Sequence, residues 1–446
     1  MRFVLDAIYV VAGLVYLPVL LYRIVVRGKS RRGWSERFGF VPTRSHGDRC
    51  IWIHAVSVGE VNATVTLVKA IEKELPHLAV VVSSTTDTGS ERAAQIYPNH
   101  VRFRYPLDFS WAVRRAIRRL RPAVIVLMEL ETWPNLIEVA RRYGVPVMIA
   151  NGRITEQRSM RRFRWPVLRP IARRMFSRLS CVGAQDATYA ARFRELGTPA
   201  DRVHVTGTMK YDTAVVADRV DGQEELADQM GIRRDRPLWV CGCTGPGEEA
   251  VILEAYLKLR DVVPDLQVAI IPRKPERFDE AAAEIEKHRL RFVRRSAARS
   301  PDAGQNRSPA DKVGVFLGDT MGELRKFYAL ADVVFVGRTM VPLGGSDVLE
   351  VAGLAKPIVV GPSVYNFAEP VEMLRSGGGI VQIDKMVDQP GAVERLTEVT
   401  RDLLQDAPAR HALGQAARQV LLANQGATAR TLALLRGLLA DEPARN

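Results

Sequence analysis

Two carboxylates early in the chain stand where side chains could do chemistry. Glu60 follows the apolar run 51–53 and the turn residue Gly59, and a pattern of helical spacing comes after it. Glu129 directly follows the apolar run 123–128. A carboxylate at the carboxyl end of a parallel strand faces the edge where such sheets bind ligands. Glu60 is therefore a candidate for contact with a ligand, although it also fits an ordinary acid in a first helical turn.

Alternating strands and helices must position these side chains. Strand-like runs, most of them continuously apolar, are separated by helical segments. They occur at 51–53, 78–83, 101–105, 123–128, 145–150 and 180–183, and they resume at 238–242, 266–271, 313–317, 331–336 and 357–360. Continuous apolar strands between helices predict parallel sheets that are covered on both faces. The segment 213–236 is rich in Asp, Glu and Gly, which predicts a domain boundary. The polar composition of 297–311 predicts a surface loop. The last hundred residues are predicted to be mostly helical.

Composition narrows the class of protein. The 446 residues are 47% hydrophobic and 26% charged, which indicates a globular chain of two domains and excludes a disordered one. The four cysteines and seven histidines form no cluster with zinc-ligand spacing. The sequence therefore predicts no disulfide framework, no metal centre and no bound cofactor.

The positive charge belongs to one half of the chain. Residues 1–215 hold 34 Lys and Arg against 17 Asp and Glu, whereas residues 216–446 hold 30 against 33. A basic surface attracts nucleic acid, anionic lipid or a phosphorylated substrate, and charge alone does not choose among them.

The N-terminal segment favours anionic lipid as the partner of this basic surface. Residues 3–26 are apolar apart from Asp6 and Arg23, and the sequence predicts a membrane anchor over 1–26. A secretory signal peptide is the rival interpretation, but no small-residue cleavage site follows the apolar run. An excess of positive charge follows (Arg27, Lys29, Arg31, Arg32 and Arg37), which predicts that the remaining chain lies on the cytoplasmic side of the inner membrane.

A second basic segment, 158–178, mixes arginines with aromatic and aliphatic residues. This pattern suits anionic headgroups or a phosphorylated lipid, and a solvated helix is the simpler alternative. No nucleic-acid-binding motif accompanies it. We therefore expect an acceptor or membrane surface, without nucleic acid, at Arg161, Arg162, Arg164, Arg173 and Arg174.

Five motifs, in order along nearly the whole chain, resemble those of the 3-deoxy-D-manno-octulosonic acid (Kdo) transferases. They are HAVSVGE at 54–60, MELETWPN at 128–135, TGTMKYD at 206–212, PRKPERF at 272–278 and GDTMGE at 318–323. The resemblance implies a GT-B glycosyltransferase with two Rossmann-like domains, an interdomain cleft and an N-terminal anchor. The expected parts are an anchor at 1–26, an acceptor-binding domain at 27–212, a linker at 213–236 and a CMP-sugar-binding domain at 237–446.

The family inverts configuration as it moves Kdo from CMP-Kdo onto the lipid A precursor, lipid IVA, in lipopolysaccharide biosynthesis. By resemblance, Glu60 is the general base, Glu129 stabilises the transition state and Lys210 compensates negative charge on the donor side. Glu131 reads as a hydrogen-bonding scaffold residue. The expected CMP contacts are Pro272, Arg273, Met321, Gly322, Glu323, Asp347, Val348, Leu349 and Glu350. The glycine pair Gly344 and Gly345 before a helix suits either backbone amides that face the phosphate or a simple cap.

Two segments depart from the family pattern. The chain has Ser346 and Asp347 after the glycine pair where the family usually has His and Asn. It also has Gly245 where the family has another His. These changes keep two alternatives open, which are a related transferase that uses another nucleotide sugar and a non-catalytic lipid-binding or nucleic-acid-binding relative. Glu60, Glu129 and Lys210 argue against the second, since binding alone does not require them.

Overall fold

The computed structural model describes residues 2–25, 33–45, 49–298, 314–384 and 388–440. The chain divides into two compact units, Met1–Thr213 with Asn424–Asn446, and Ala214–Ala423. The predicted positive residues 27–32 and most of the predicted loop 297–311 lie outside the described residues.

The first unit contains a parallel sheet with the strand order β3-β2-β1-β4-β5-β6-β7. Its strands are β1 (Cys50–His54), β2 (Ala79–Ser84), β3 (Val101–Arg104), β4 (Pro122–Met128), β5 (Val147–Gly152), β6 (Cys181–Ala184) and β7 (Val203–Val205). Its helices up to the boundary are α1 (Arg2–Val25), α2 (Trp34–Arg37), α3 (Val58–Glu74), α4 (Asp87–Ile96), α5 (Ser110–Leu120), α6 (Pro134–Arg142), a π-helix (Glu156–Met160), α7 (Arg161–Phe163), α8 (Arg169–Phe176) and α9 (Ala187–Glu195). Short 3-10 helices cover Ala200–Arg202 and Tyr211–Thr213.

The second unit repeats this design, with the parallel order β10-β11-β9-β8-β12-β13-β14. Its strands are β8 (Leu238–Thr244), β9 (Gln267–Pro272), β10 (Phe292–Arg294), β11 (Val315–Leu317), β12 (Val333–Val336), β13 (Ile358–Val360) and β14 (Val381–Gln382). Its helices are α10 (Gln223–Met230), α11 (Glu248–Arg260), a 3-10 turn (Pro275–Arg277), α12 (Phe278–Lys287), α13 (Arg295–Ala298), α14 (Leu324–Leu330), α15 (Leu349–Gly353), α16 (Ala368–Ser376), α17 (Gln389–Gln405) and α18 (Ala407–Asn424).

The central strands of each sheet are buried on both faces. In β1 and β4 every residue is buried, and successive side chains enter two separate apolar clusters. Trp52 and Leu127 belong to one cluster, and Ile53 and Val126 to the other. This explains why the sequence shows continuous apolar runs instead of alternation, and it confirms the prediction of parallel α/β sheets covered on both faces.

In each sheet the first strand lies at the point where the strand order reverses. The neighbours of β1 are β2 and β4, and those of β8 are β9 and β12. Loops that leave such a pair of strands diverge to opposite faces of the sheet and open a crevice at the carboxyl edge. The segments that follow β1 and β4, and those that follow β8 and β12, are therefore the places where each unit is expected to hold its ligand.

The C-terminal residues differ from the predicted domain bounds. The last helix, α19 (Ala427–Ala440), belongs to the first unit, although the sequence placed 237–446 in one domain. Its Leu432 and Leu435 are buried in the same apolar cluster as Ile53 and Leu67 of β1 and α3. The apolar face of a helix does not record in its sequence which sheet it will cover, so this return was not predicted.

The predicted membrane anchor at 1–26 is not confirmed as a spanning segment. Among the described residues, no helix has both the length and the apolar character needed to cross a membrane. In α1 the side chains of Leu5, Asp6 and Tyr9 are buried or partly buried, whereas all residues from 10 to 19 are exposed. The helix therefore contacts the first unit near its start and leaves a run of apolar side chains uncovered.

Candidate functional site

Glu60 and Glu129 flank the switch point of the first sheet. Glu60 lies in the first turn of α3, after β1, and Glu129 follows the last residue of β4, the neighbouring strand. Each carboxylate is close enough to the other for an electrostatic interaction. The structure therefore brings together two residues that are 69 positions apart, as the carboxyl-edge argument predicts.

Glu60 is held by its own turn. Ser57 is the N-cap of α3, and its Oγ accepts a hydrogen bond from the Glu60 amide at 3.3 Å and donates one to Glu60 Oε1 at 2.9 Å. Val56 N donates to Glu60 Oε2 at 2.9 Å. This reciprocal pattern resembles a capping box in which the amide of Val56 takes the place of the N-cap amide, so the helix-start interpretation of Glu60 is structurally correct. It also fixes the carboxylate at the sheet edge, where only 9% of the residue is exposed.

Glu129 has an unusual backbone conformation. Its φ is +54°, in the left-handed region that non-glycine residues rarely adopt. Its amide donates to Ala150 O of β5 at 2.9 Å, which continues the sheet ladder by one residue. Burial and the negative charge of Glu60 raise the pKa of Glu129, and Arg153 opposes the shift. Backbone strain of this kind persists where the surrounding structure enforces it, and it concentrates at functional sites.

Glu131, interpreted from sequence as a scaffold residue, belongs to the same carboxylate cluster. Burial and the charge of Glu60 raise its pKa to about 7, and the charge of Glu129 acts in the same direction. Glu60, Glu129 and Glu131 thus form one group of acids at this sheet edge. A group that titrates near neutral pH can exchange protons during a reaction, which the scaffold interpretation did not foresee.

Lys210 lies in the loop after β7, and the end of this loop contacts α3. The 3-10 turn Tyr211–Thr213 packs against both α3 and α19. The Asp212 carboxylate accepts hydrogen bonds from Gly426 N, at 2.7 Å, and from Thr428 N, so it caps the start of α19. Gln425 Nε2 donates to Tyr211 O at 2.9 Å. The C-terminal helix therefore fixes the segment that carries Lys210.

Two further residues at this edge were missed by sequence reasoning. Asn151, buried and with φ of +56°, follows the last apolar residue of β5, and its Oδ1 accepts a hydrogen bond from Met209 N at 3.2 Å. Arg153 follows β5 and lies close to Glu129. The position of Asn151 and Arg153 after the apolar residues of β5 is the sequence feature that could have identified them as site residues. Together they link the Glu129 and Lys210 loops across the sheet edge.

In the second unit, Arg273 occupies the equivalent edge. It follows Pro272, the last residue of β9, and its Nη1 donates to Ser346 Oγ at 3.1 Å. Ser346 is buried, whereas Asp347 Oδ1 accepts from Leu349 N at 2.9 Å at the start of α15. The carboxylate of Asp347 therefore bonds to the backbone of its own turn. Ser346, which stands where the family usually has His, accepts a hydrogen bond from the guanidinium of Arg273.

The glycine pair is a turn and does not expose its amides. Gly344 and Gly345 have φ of +78° and +84°, which explains why both are glycine. Gly344 N donates to Ser363 Oγ at 3.1 Å, and Gly345 N donates to Arg338 O at 2.8 Å. The expectation that these amides face a phosphate is therefore wrong for this conformation, because both donors are used within the protein.

Gly245, the other departure from the family pattern, is accommodated by its surroundings. A Cβ atom built at this position would lie 3.0 Å from Leu343 Cδ1 and 3.3 Å from Arg338 Cγ. Any larger side chain would displace these neighbours. Gly245, which stands where the family has His, therefore lies in a closely packed turn that leaves little room for a side chain.

The other expected nucleotide contacts fall into three groups. Met321 is 65% exposed and Gly322 has φ of +84°, so this turn presents itself to solvent. Val348 and Leu349 are buried in the core and offer a ligand their backbone only. Glu350 is partly buried, and burial, followed by the charge of Asp347, raises its pKa.

Glu323 is committed to an ion pair. Its two carboxylate oxygens accept hydrogen bonds from Arg295 Nε and Nη2, both at 2.9 Å, and Thr320 Oγ1 donates at 2.6 Å. The Arg295 guanidinium holds the pKa of Glu323 at about 2. A carboxylate with both oxygens bound by a buried arginine braces the turn and has little capacity left for a ligand.

Two more acids of this unit, Glu248 and Glu249, are also structural. Glu248 accepts hydrogen bonds from the amides of Gly245, Arg338, Thr339 and Met340 at 2.6–2.8 Å. Glu249 forms a bidentate pair with Arg277, with distances of 2.8 and 2.9 Å. They tie the loops after β8, β9 and β12 together. Across the described residues, no group of His, Cys, Asp or Glu is arranged to hold a metal ion.

The basic segment of the first unit forms open cavities. One, of 540 Å³, is lined by Glu156, Gln157, Arg161, Arg164, Trp165 and Pro166, and another, of 460 Å³, by Gln157, Arg161, Arg162 and Trp165. A third, of 260 Å³, includes Arg164, Arg169 and Arg173. Trp165 is 63% exposed. We call the first two cavities, which share Arg161 and Trp165, the Trp165 groove.

The five predicted arginines are not equivalent. Arg164 pairs with Glu195 at 2.7 and 2.9 Å and also with Glu156, so its charge is compensated. Arg174 lies 3.9 Å from Glu138. Arg161 and Arg162 are exposed and line the Trp165 groove. The structure thus divides a set that the sequence treated as one surface.

Comparisons with known proteins agree with this arrangement. The family model for 3-deoxy-D-manno-octulosonic-acid transferase (kdotransferase) matches residues 32–213. The 3-deoxy-D-manno-octulosonic acid transferase of Haemophilus influenzae is 34% identical over 414 residues, which is 92% of each chain. The enzyme of the same name from Bordetella pertussis is 34% identical over 400 residues, 87% of each chain.

A solved structure supports the fold alone. A glycosyltransferase from Rickettsia africae is 11% identical, covers 89% of this chain and 100% of its own, and superposes with a TM-score of 0.52. The two parallel-sheet α/β units therefore resemble those of GT-B glycosyltransferases.

Proposed function

The chain belongs to the 3-deoxy-D-manno-octulosonic acid transferase family, and we propose that it transfers Kdo from CMP-Kdo to lipid IVA. The observation that carries this proposal is the carboxylate cluster of Glu60, Glu129 and Glu131 at the switch point of the first sheet. At this ligand-binding edge, burial and the charge of Glu60 raise the pKa values of Glu129 and Glu131, and perturbed acids of this kind are typical of acid–base sites.

The proposed reaction needs one base. Glu60 accepts the proton of the acceptor hydroxyl while the hydroxyl oxygen bonds to the anomeric carbon of Kdo. The bond from that carbon to the phosphate oxygen breaks, CMP leaves with the electron pair, and configuration at the carbon inverts. Bonds from Val56 N and Ser57 Oγ hold the Glu60 carboxylate in one place, so little reorganisation precedes proton transfer.

Glu129 and Lys210 supply fixed charge in this scheme. Glu129 favours the positive charge that develops on the sugar ring as the leaving group departs, and Lys210 favours the negative charge on the donor side. The enforced backbone conformation of Glu129 and the hydrogen bonds between Asp212 and the start of α19 fix the backbone that carries both side chains. Such restriction is what electrostatic stabilisation of a transition state requires.

The donor is proposed to bind at the switch point of the second unit. Arg273 is placed for a phosphate because its guanidinium is anchored at one nitrogen by Ser346 and keeps other donors for a ligand. Met321, Gly322 and Glu350 line the same edge as candidates for the base and the ribose. Glu323 supports this turn through its pair with Arg295.

We place the protein at the cytoplasmic face of the inner membrane. Exposed apolar side chains on α1, such as Val11 at 62%, Leu14 at 64% and Val15 at 76%, would be covered by lipid. Arg162 lies close enough to the Tyr9 hydroxyl of α1 for an electrostatic interaction, so the Trp165 groove lies near this helix. An exposed tryptophan beside arginines is typical of a surface that contacts headgroups.

Incubation of the purified protein with CMP-Kdo and lipid IVA tests the proposal. We expect mass spectrometry to show one or more added Kdo residues and release of CMP, with the same yield in the presence of a chelator. Turnover with a different nucleotide sugar but none with CMP-Kdo would refute the proposed donor. Binding of lipid IVA without transfer from any donor would favour a non-catalytic relative.

A further inference from the structure

Asp6 is an acid in the apolar sequence of α1, and attachment to lipid does not account for it. Its Oδ1 accepts hydrogen bonds from Ser110 N at 2.8 Å and from Asn135 Nδ2 at 3.0 Å, and its Oδ2 accepts one from Ser110 Oγ. Ser110 is the first residue of α5, and Asn135 lies in the first turn of α6. One carboxylate thus joins α1 to the starts of two other helices.

Asp108 completes this junction. Its Oδ1 accepts from Leu136 N at 2.8 Å, and its Oδ2 accepts from Asn135 N at 3.0 Å and from Tyr9 OH at 3.1 Å. Carboxylates beside the free amides of a helix start satisfy those donors and interact favourably with the helix dipole. We define the Asp6 junction as Asp6, Tyr9, Asp108, Ser110 and Asn135. Asn135 has no exposed surface, and Asp108 is 7% exposed.

The Asp6 junction lies directly next to the carboxylate cluster along the chain. Only residues 129–133 separate the end of β4 from the start of α6. This loop contains Glu129 and Glu131, and it is fixed at one end by the bond from Glu129 N to Ala150 O. Its other end is fixed where Asn135 meets Asp6 and Asp108. The positive φ of Glu129 requires that both ends be held.

The two parts of α1 therefore differ in what they contact. Asp6 and Tyr9 contact the protein, whereas residues 10–19 are exposed. We propose that Asp6 is a positioning residue, through which α1 holds the loop of Glu129 and Glu131 in its reactive geometry. This inference rests on the proposed transfer reaction for its effect on rate, but its structural part is independent of that reaction.

The test compares Asp6→Ala with Val15→Ser in the full-length, detergent-solubilised protein. Hydrogen–deuterium exchange at residues 129–136 reports on the loop, and binding to anionic vesicles reports on the apolar side of α1. We expect Asp6→Ala to speed exchange at 135–136 and to lower kcat about 10-fold or more, with an unchanged KM for CMP-Kdo, because small displacements of catalytic groups are costly. We expect Val15→Ser to weaken vesicle binding and to leave exchange at 135–136 unchanged.

Asp6→Asn keeps one acceptor oxygen and should fall between the wild type and Asp6→Ala in both exchange and kcat. If Asp6→Ala does not fold, Asp6→Asn decides the question with the same two measurements. Unchanged exchange at 135–136 in the Asp6 variants would overturn the inference, as would faster exchange with wild-type kcat. Absence of transfer by the wild type would instead refute the proposed function, and exchange would still report whether the Asp6 junction holds the loop.

Discussion

The carboxylates at the two sheet edges are treated in opposite ways. In the first unit, Glu129 and Glu131 lie close to Glu60, and their pKa values are raised by burial and by mutual repulsion. In the second unit, Glu249 and Glu323 are each bound by an arginine through two hydrogen bonds. The acids of the first cluster are therefore crowded together, whereas Glu249 and Glu323 of the second unit are each neutralised by an arginine.

This difference separates reactive from structural acids. A carboxylate paired with a buried guanidinium stays ionised and bound, and so cannot take up a proton near neutral pH. Crowded carboxylates destabilise one another's charged form, which together with burial raises the pKa values of Glu129 and Glu131. The contrast supports the proposed proton transfer in the first unit, and it gives Glu249 and Glu323 the role of bracing loops in the second.

The largest effect that tests this contrast is the loss of the base. Glu60→Gln should reduce Kdo transfer by about 10²–10⁴-fold, because a general base typically contributes that much. CMP binding, measured by calorimetry, should be nearly unchanged, since the expected CMP contacts belong to the second unit. Near-wild-type transfer would leave Glu60 with only its capping role.

Ser57→Ala is the matched control for the cap. It removes the Oγ that bonds to Glu60 but keeps the carboxylate, and it should cost about 1 kcal/mol of stability, as N-cap substitutions do. Its loss of transfer should be far smaller than that of Glu60→Gln. If both variants lose activity equally, the cap and not the base explains the effect.

Removal of a neutralising arginine should destabilise the second unit. Arg277→Met leaves the Glu249 carboxylate, whose side chain is 3% exposed, without its bidentate partner. Breaking a buried pair from one side costs about 3–5 kcal/mol. Urea denaturation should show the transition of the second unit at lower concentration, and the transition of the first unit should not move. An unshifted transition would show that Glu249 is not held by this pair.

Much of this contrast could be predicted from the sequence, and the missing parts have a common cause. Glu60 was singled out because it follows an apolar run and a turn glycine, and the role of Glu129 came from the resemblance to the Kdo transferases. The bond between Glu323 and Arg295 joins residues 28 positions apart, and the return of α19 joins residues more than 200 apart. Pairings of this kind depend on tertiary geometry and leave no local pattern.

Short edge strands were missed for a related reason. The edge strands β7, β10 and β14 have only two or three residues each, too few to show a period. The sequence left the glycine pair open between amides that face a phosphate and a simple cap, and the hydrogen bonds of its amides to Ser363 and Arg338 leave no local sequence pattern. Sequence pattern therefore located the site, and the pairing of its charges had to be observed.

The stability of the two units should also depend on pH in different ranges, near neutral pH for the first unit and at acidic pH for the second. The pKa of Glu131 is raised from 4.5 to about 7, so its contribution to folding stability is fully present below about 4.5 and is lost as pH rises through 7. The pKa of Glu323 is lowered from 4.5 to about 2, so its contribution is present above about 4.5 and is lost as pH falls through 2.

Two glutamine variants isolate these contributions. Glu131→Gln should gain stability relative to the wild type between pH 5 and pH 8, whereas Glu323→Gln should be less stable than the wild type at pH 7, by a margin that shrinks toward pH 2. Thermal unfolding at each pH measures both differences. Burial also raises the pKa of Asp108 to about 7. Both variants keep Asp108, so its contribution cancels when each variant is compared with the wild type. A difference for Glu131→Gln that does not depend on pH would contradict its assignment to the crowded cluster.

The smallest expected effect concerns the arginines, where the same distinction between compensated and uncompensated charge applies. Arg161 and Arg162 line the Trp165 groove, whereas Arg164 is paired with Glu156 and Glu195. With a water-soluble, phosphorylated acceptor in detergent, replacing Arg161 and Arg162 by Gln should raise the acceptor KM several-fold, and Arg164→Gln should change it less. The KM for CMP-Kdo should stay constant. The effect of the double variant should shrink as salt brings the Debye length below about 10 Å, because the groove is open to solvent. An equal rise of the acceptor KM in Arg164→Gln would mean that the ion pairs of Arg164 do not prevent its charge from attracting the acceptor. An unchanged acceptor KM in the double variant would leave Arg161 and Arg162 with a role in membrane docking alone.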